Sequence, residues 1–291
     1  MTVSSHLAGA AQLTTPSIPS PPSEKNGLDG DSLAYLFSFL DLEDLPTLPQ
    51  VCKQWATVVK KNANLQNHIE SLLPARIKQL QNVSLQEKTK IYIKELDTRV
   101  NFVLNNPDLK IHVYLWSPEG GAPLFPTSLI EELKSDHSLS WKAEKISNVV
   151  NQATFFNQPE KIACYKFTHL ANDKDIEEAN HLLAAGFDPN LSLSEKHADK
   201  YPTALFTLVD MGMSYMTLNR DSIVQLIKNM IDHGLDVSVE DKKGKTALEL
   251  LERNPRFPVE EVSALTNYAE SKRSLITPAL RSQLLGTGNR A

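Results

Sequence analysis

The chain has 291 residues, 30 of them basic and 35 acidic, for a net charge of −5; a dedicated nucleic-acid binder would normally show a basic face, so that class is disfavoured. Hydrophobic content of 41% and charged content of 22% are those of a soluble globular protein long enough for two domains or one array. No apolar run approaches the roughly 18 residues a membrane span needs, the first residues lack the basic-then-apolar order of an export signal, and two cysteines, Cys52 and Cys164, exclude a disulfide framework and fit a reducing compartment such as the cytoplasm.

Residues 1–26 are rich in Ser, Thr, Pro and Ala, and PSIPSPPSEKNG runs up to Gly27. Closely spaced prolines block helix and sheet, and so little apolar content cannot offset the cost of ordering the chain. A flexible leader is expected.

Residues 27–61 are more informative. Leu33, Leu36, Phe37 and Leu40 recur at i, i+3, i+4 and i+7, which places four large apolar groups on one helical stripe. Leu42, Leu45, Leu48, Val51, Cys52 and Trp55 follow the acidic Asp41, a residue able to cap the next helix. Short helices in about 30 residues bury too little of their own surface to enclose this set. They need a partner or a larger body, and an ordinary helical hairpin within a larger core is the alternative. Pro46 fits the first turn of a helix, whereas Pro49 inside one would cost roughly 3 kcal/mol. The second helix is therefore expected to be short or kinked.

Residues 62–160 read as helices with turns between them, a helical linker domain. Ser84-x-x-Glu87 is a capping box ahead of Ile91, Ile93, Leu96, Val100, Val103 and Leu104, with Pro107 beyond their end. Ile111 to Trp116 alternates between prolines as a short strand or an extended connector, and Ser117 to Gly121 is turn chemistry. Ser128-x-x-Glu131 repeats the capping pattern before Leu129, Ile130 and Leu133.

Residues 161–270 carry a degenerate repeat. His181 to Asn190 (HLLAAGFDPN) and Met230 to Ser238 (MIDHGLDVS) each set a glycine after an apolar helical run. Gly186 and Gly234 are expected in the left-handed conformation that closes a helix. Tyr201-Pro-Thr-Ala-Leu-Phe206 and Gly244-Lys-Thr-Ala-Leu-Glu249 form a second matched pair. Ile162 to Ala171 and Ile176 to Ala185 are the helices expected in the first unit, and the array is expected to hold two complete helix pairs plus a partial third from Thr246, with Phe257 to Ala269 as a cap. Residues 271–291 form a tail in which Lys272, Arg273 and Arg281 make a mild basic patch.

Two resemblances follow from these residues. The order Leu-x-x-Leu-Phe-x-Phe-Leu-Asp-Leu-x-Asp-Leu-x-x-Leu-x-x-Val-Cys-Lys-x-Trp, from Leu33 to Trp55, resembles an F-box. That family docks on the Skp adaptor of a cullin-RING ubiquitin ligase, which implies a substrate receptor whose adaptor-facing positions are Leu28, Leu33, Leu36, Phe37, Leu40, Leu42, Leu45, Leu48, Val51, Cys52 and Trp55. The family usually opens with Leu-Pro, where this chain has Leu28-Asp29. The glycine-closed helices and threonine segments resemble ankyrin repeats, whose opening is Thr-Pro-Leu-His-x-Ala; here Ala204 and Ala247 stand where the family has proline. The glycines are 48 residues apart and the threonines 43, against a period of about 33, so insertions of roughly 15 and 10 residues fall in 191–202 and 210–220, where loops lengthen at little cost. A generic helical bundle with glycine C-caps explains the glycines but not the threonine segments.

The combined expectation is an all-α protein: N-terminal F-box helices, a helical linker domain and C-terminal ankyrin-like helix pairs. The resemblance implies a non-catalytic adaptor that binds Skp with one end and a target protein with the other, the hairpin tips at Asp188, Asn190, Asp236, Lys242 and Lys243 facing the target. An F-box ahead of degenerate ankyrin repeats is similar to effectors that intracellular bacteria inject into host cells, which would place it in host cytoplasm. A binding scaffold or inhibitor without ubiquitin transfer is the alternative. No phosphate-cradling loop, His-Glu-x-x-His or Cys-x-x-Cys occurs, so no cofactor, metal or catalytic residue is expected. Cys52 and Cys164 lie in apolar surroundings that do not favour a thiolate, and His169 and His181 read as packing or surface residues.

Overall fold

The computed structural model describes residues 29–51, 53–80, 82–111, 122–152, 161–168, 170, 172–210 and 219–274. The leader, Leu28, Cys52, the stretch 112–121, His169, most of the 210–220 insertion and residues 275–291 with Arg281 lie outside the described residues. The protein is all-α, and among the described residues the strands are one antiparallel pair of two residues each, β1 (Lys110–Ile111) and β2 (Ala122–Pro123). Among the described residues no helix is long and apolar enough to cross a membrane.

The N-terminal helices are α1 (Gly30–Phe37), α2 (Leu48–Val51), α3 (Lys53–Lys61), α4 (Ala63–Leu72) and α5 (Ala75–Lys78). Helix α1 is shorter than the apolar spacing predicts. It closes at Phe37, and the N–H groups of Phe39 and Leu40 turn back to the carbonyls of Leu36 and Phe37, so Leu40 leaves the stripe. Asp41 caps nothing with its side chain: the next helical turn, a 3₁₀ segment at Leu45–Thr47, begins after Asp44. Both prolines are absorbed there. Pro46 sits in the first turn of the 3₁₀ segment and Pro49 in the first turn of α2, positions whose N–H has no intrahelical acceptor to lose.

Helix α6 (Leu85–Asn105) is the beam of the molecule, 21 residues and, at 1.5 Å per residue, roughly 30 Å long. The expected capping box is present: Ser84 Oγ accepts the Glu87 N–H at 3.2 Å and the Glu87 carboxylate accepts the Ser84 N–H at 3.1 Å. Its Ile91 joins a cluster with Leu33, Phe37, Leu45, Leu65 and Ile69, while Leu96, Val100 and Val103 join the larger C-terminal cluster; Tyr92 packs against both. The described residues of 62–160 therefore contribute to two cores. Helices α7 (Thr127–Leu133) and α8 (Leu139–Gln152) lie on the second half of α6. Ser128 is not the cap of α7, which begins one residue earlier behind Pro126.

The C-terminal helices are α9 (Ile162–Lys166), α10 (Asp173–Ala184), α11 (Ala204–Asp210), α12 (Arg220–Asp232), α13 (Ala247–Glu252) and α14 (Val259–Ser274). They stack in two rows: α9 against α11 and α11 against α13, termed the inner row, then α10 against α12 and α12 against α14, termed the outer row, with α9–α10 and α13–α14 joining the rows. Most of the Phe257 to Ala269 stretch lies in helix α14, which packs on both α12 and α13. Helix α9 is half the length expected, while α10 starts earlier than expected. Its cap is a second capping box: Asn172 Oδ1 accepts the Asp175 N–H at 3.2 Å and the Asp175 carboxylate accepts the Asn172 N–H at 3.1 Å.

Gly186 and Gly234 have φ of +92° and +93°. Phe187 N–H donates to Leu182 and Gly186 N–H to Leu183; Leu235 and Gly234 do the same to Met230 and Ile231. Both ends are Schellman motifs, which occupy carbonyls the helix leaves without partners. Thr203 and Thr246 each precede the first residue of an inner-row helix, and Thr246 Oγ1 caps α13 by accepting the Glu249 N–H at 3.2 Å. The 191–202 insertion packs back on α9: Leu193, Ser194 and Tyr201 are buried and Leu193 accepts the Lys161 N–H.

Candidate functional site

Asp29, which stands where an F-box usually has proline, is the N-cap of α1. Its carboxylate accepts N–H bonds from Asp31 at 3.0 Å and Ser32 at 2.8 Å, and these, the Ser32 ones foremost, hold it below the usual carboxylate range. A second tie runs from Asn62 Nδ2 to Asp31 at 3.0 Å, while Asn62 Oδ1 caps α4 through the Leu65 N–H. The first turns of α1 and α4 are thereby fixed side by side.

That frame sorts the apolar residues into two sets. Leu33, Phe37, Leu42, Leu45 and Leu48 are buried, Phe37 stacking edge-on to the half-buried Trp55 at 5.0 Å. Leu36, Leu40 and Val51 face outward, at 49%, 37% and 59% exposure. Two residues that apolar spacing did not single out join them: Tyr35 and Phe39, 67% and 69% exposed, packed edge to face at 4.9 Å. Their i, i+4 spacing was the available signal. Five large apolar side chains outward on so small a unit mark a surface that water does not favour.

Residues 27–67 match the F-box domain. The match extends into α4, whose Leu65 lies in the same buried cluster as the F-box helices. Neither a curated protein nor a solved structure matches the chain. The F-box segment is tied to the rest of the chain in two ways besides the shared packing on α6: Leu139 N–H and the Ser140 hydroxyl, at the start of α8, both donate to the Glu43 carboxylate. An acidic side chain is favoured at that end of a helix.

The predicted tip residues divide. Asp188, Asn190 and Asp236 line a cleft of about 740 Å³ between α5–α6 and the loops that follow α10 and α12. Lys242 and Lys243 lie elsewhere, exposed on the hairpin closed by the Glu240–Thr246 bridge. Much of the polar surface at the cleft is already committed. Asn190 donates to Gly234 O at 2.9 Å and accepts the Asp236 N–H at 2.7 Å; Asn151, at the end of α8, does the same one step earlier with Gly186 O at 3.4 Å and Asp188 N–H at 2.9 Å. This asparagine ladder sets successive loops in register. On the α5–α6 wall Arg76 meets Glu95 through two contacts of 2.7 Å.

Cys164 is buried, and burial pushes its thiol up to about 12. A group so protonated cannot supply a thiolate near neutral pH. Another buried polar group is structural: Lys166 Nζ bridges Asp175 at 2.6 Å and Glu178 at 2.8 Å, pinning α9 to α10.

Proposed function

We propose that the protein is the substrate-receptor subunit of a Skp-cullin-F-box ubiquitin ligase, docking on the Skp adaptor through α1–α3 and holding a target protein with the C-terminal helix pairs. The observation that carries the reading is the F-box match over a segment whose apolar residues Tyr35, Leu36, Phe39, Leu40 and Val51 face outward. Buried Leu33, Phe37, Leu42, Leu45 and Leu48 then shape the docking face from beneath, while the exposed five supply its contact. Receptors of this kind form no bonds themselves. They raise the local concentration of target beside the conjugating enzyme.

The two stacked helix rows, the paired left-handed glycines and the threonine-opened inner helices support an ankyrin-like reading of residues 161–270. The likeness to injected bacterial effectors, and with it a host cytoplasm, rests only on the order of the two parts. The test is co-purification of the full chain with the Skp adaptor. A stable complex supports the receptor reading; a folded chain that forms none returns the function to the array as a scaffold or inhibitor.

A further inference from the structure

The cleft beside α6 holds a guanidinium, Arg99, that forms no direct ion pair among the described residues. Four carboxylates line it, and each is engaged within the protein. Glu95 meets Arg76, Asp232 meets Lys272 at 2.7 Å, Asp188 Oδ1 accepts the Asn190 N–H at 2.9 Å, and Asp236 Oδ1 accepts the Ser238 N–H at 2.9 Å. Arg99 is different. Among the described residues no carboxylate lies within ion-pair distance of it, and its Nη1 donates to the hydroxyl of Ser147 at 2.8 Å. The side chain is half-buried and crosses the Gly186 turn. A guanidinium carries five N–H donors in a planar fork, so most of its capacity is unspent. Holding such a charge partly out of water without a partner is unfavourable, and an incoming anion relieves that cost.

The neighbours define the anion. Tyr92 lines the same cleft, and burial holds its hydroxyl above the usual phenol range, so it remains a neutral donor. Ile77, Leu80 and Val239 supply apolar wall, and the volume suits a few residues of extended chain. The exposed acids Asp188 and Asp236 at the loops oppose a second negative charge. We propose that Arg99 anchors a single carboxylate side chain of an extended peptide, flanked by apolar or basic residues, in this cleft. The assignment of that peptide to a ligase target rests on the receptor reading above; the recognition itself does not.

The test is to probe the full chain against an array of short peptides in which each central Asp or Glu is matched by its Asn or Gln isostere. Wild type binds the acidic member about tenfold or more better, as expected for a charge-assisted pair. Arg99→Gln erases the preference and Arg99→Lys retains a weaker one. Ser147→Asp, which gives Arg99 an internal carboxylate, erases it in a chain that melts no earlier than wild type. Lys134→Gln, at the exposed end of α7 and outside the cleft, leaves it unchanged. Absence of an acidic preference in wild type, or its survival in Arg99→Gln or Ser147→Asp, overturns the proposal. The array contains no adaptor, so that result would leave Skp binding untouched.

Discussion

Arg99 lies so close across Gly186 that a β-carbon added to the glycine would stand 2.4 Å from the arginine Nε. Arg76 has the same relation to Gly234, at 2.3 Å from its Cδ. Each arginine reaches from the α5–α6 wall to the C-terminal end of an outer-row helix, where carbonyl dipoles favour a cation. Gly186→Ala is expected to cost about 1–3 kcal/mol, part from a positive φ that alanine tolerates poorly and part from displacing the guanidinium. In an Arg99→Ala background the second part disappears and the first remains. Chemical denaturation of the two single variants and the double variant measures the difference.

The cap of α1 makes the first F-box helix sensitive to acid. A carboxyl held below its ordinary value stabilises the fold above that ordinary value, near 3.8 for Asp29, and loses its contribution as pH falls through the lowered folded value. Asp29→Ala removes the cap at every pH, whereas Asp29→Asn keeps an acceptor and loses only the charge. Stability measured from pH 7 to pH 3 should show an acid-dependent step in wild type that is smaller in both variants.

Lys166 is needed by two buried carboxylates at once. Lys166→Met leaves Asp175 and Glu178 without it and should cost about 3–5 kcal/mol, the range for breaking a buried ion pair from one side. A thermal melt reads the loss directly.

Cys164 should be silent to thiol reagents in the folded protein at pH 7–8 and react when the chain is unfolded in denaturant. Its Sγ is buried against the carbonyls of Leu191 and Ser192. Labelling followed by peptide mapping distinguishes it from Cys52. Fast labelling of Cys164 in native protein would contradict the packing of the 191–202 insertion on α9.

What the sequence disclosed depended on whether the signal was local. The Ser84–Glu87 box and the turns at Gly186 and Gly234 are written within a few residues, and they appear as expected. Helix α10 begins ahead of the apolar spacing because its box uses Asn172 and Asp175 in place of the more familiar Ser and Glu. The stripe through Leu33 to Leu40 separates Phe37 from Phe39 but groups the exposed Leu36 and Leu40 with the buried Leu33 and Phe37, because α1 is apolar on both sides. The cleft was illegible for a different reason. Arg76, Arg99, Gly186 and Gly234 are far apart in the chain, and only the folding of α5–α6 against the outer-row loops brings them together.

The most direct test of the account is the affinity of the purified full chain for the Skp adaptor, measured for wild type, Leu36→Asp and Phe39→Asp. The two variants place charge on the exposed face and leave the buried set intact. Binding should weaken by roughly 30- to 1,000-fold, as for loss of an interface hot spot of about 2–4 kcal/mol, with helicity and melting temperature unchanged. Wild-type affinity preserved in both variants, or no binding by well-folded wild type, would contradict the claim that α1–α3 form an adaptor-docking face.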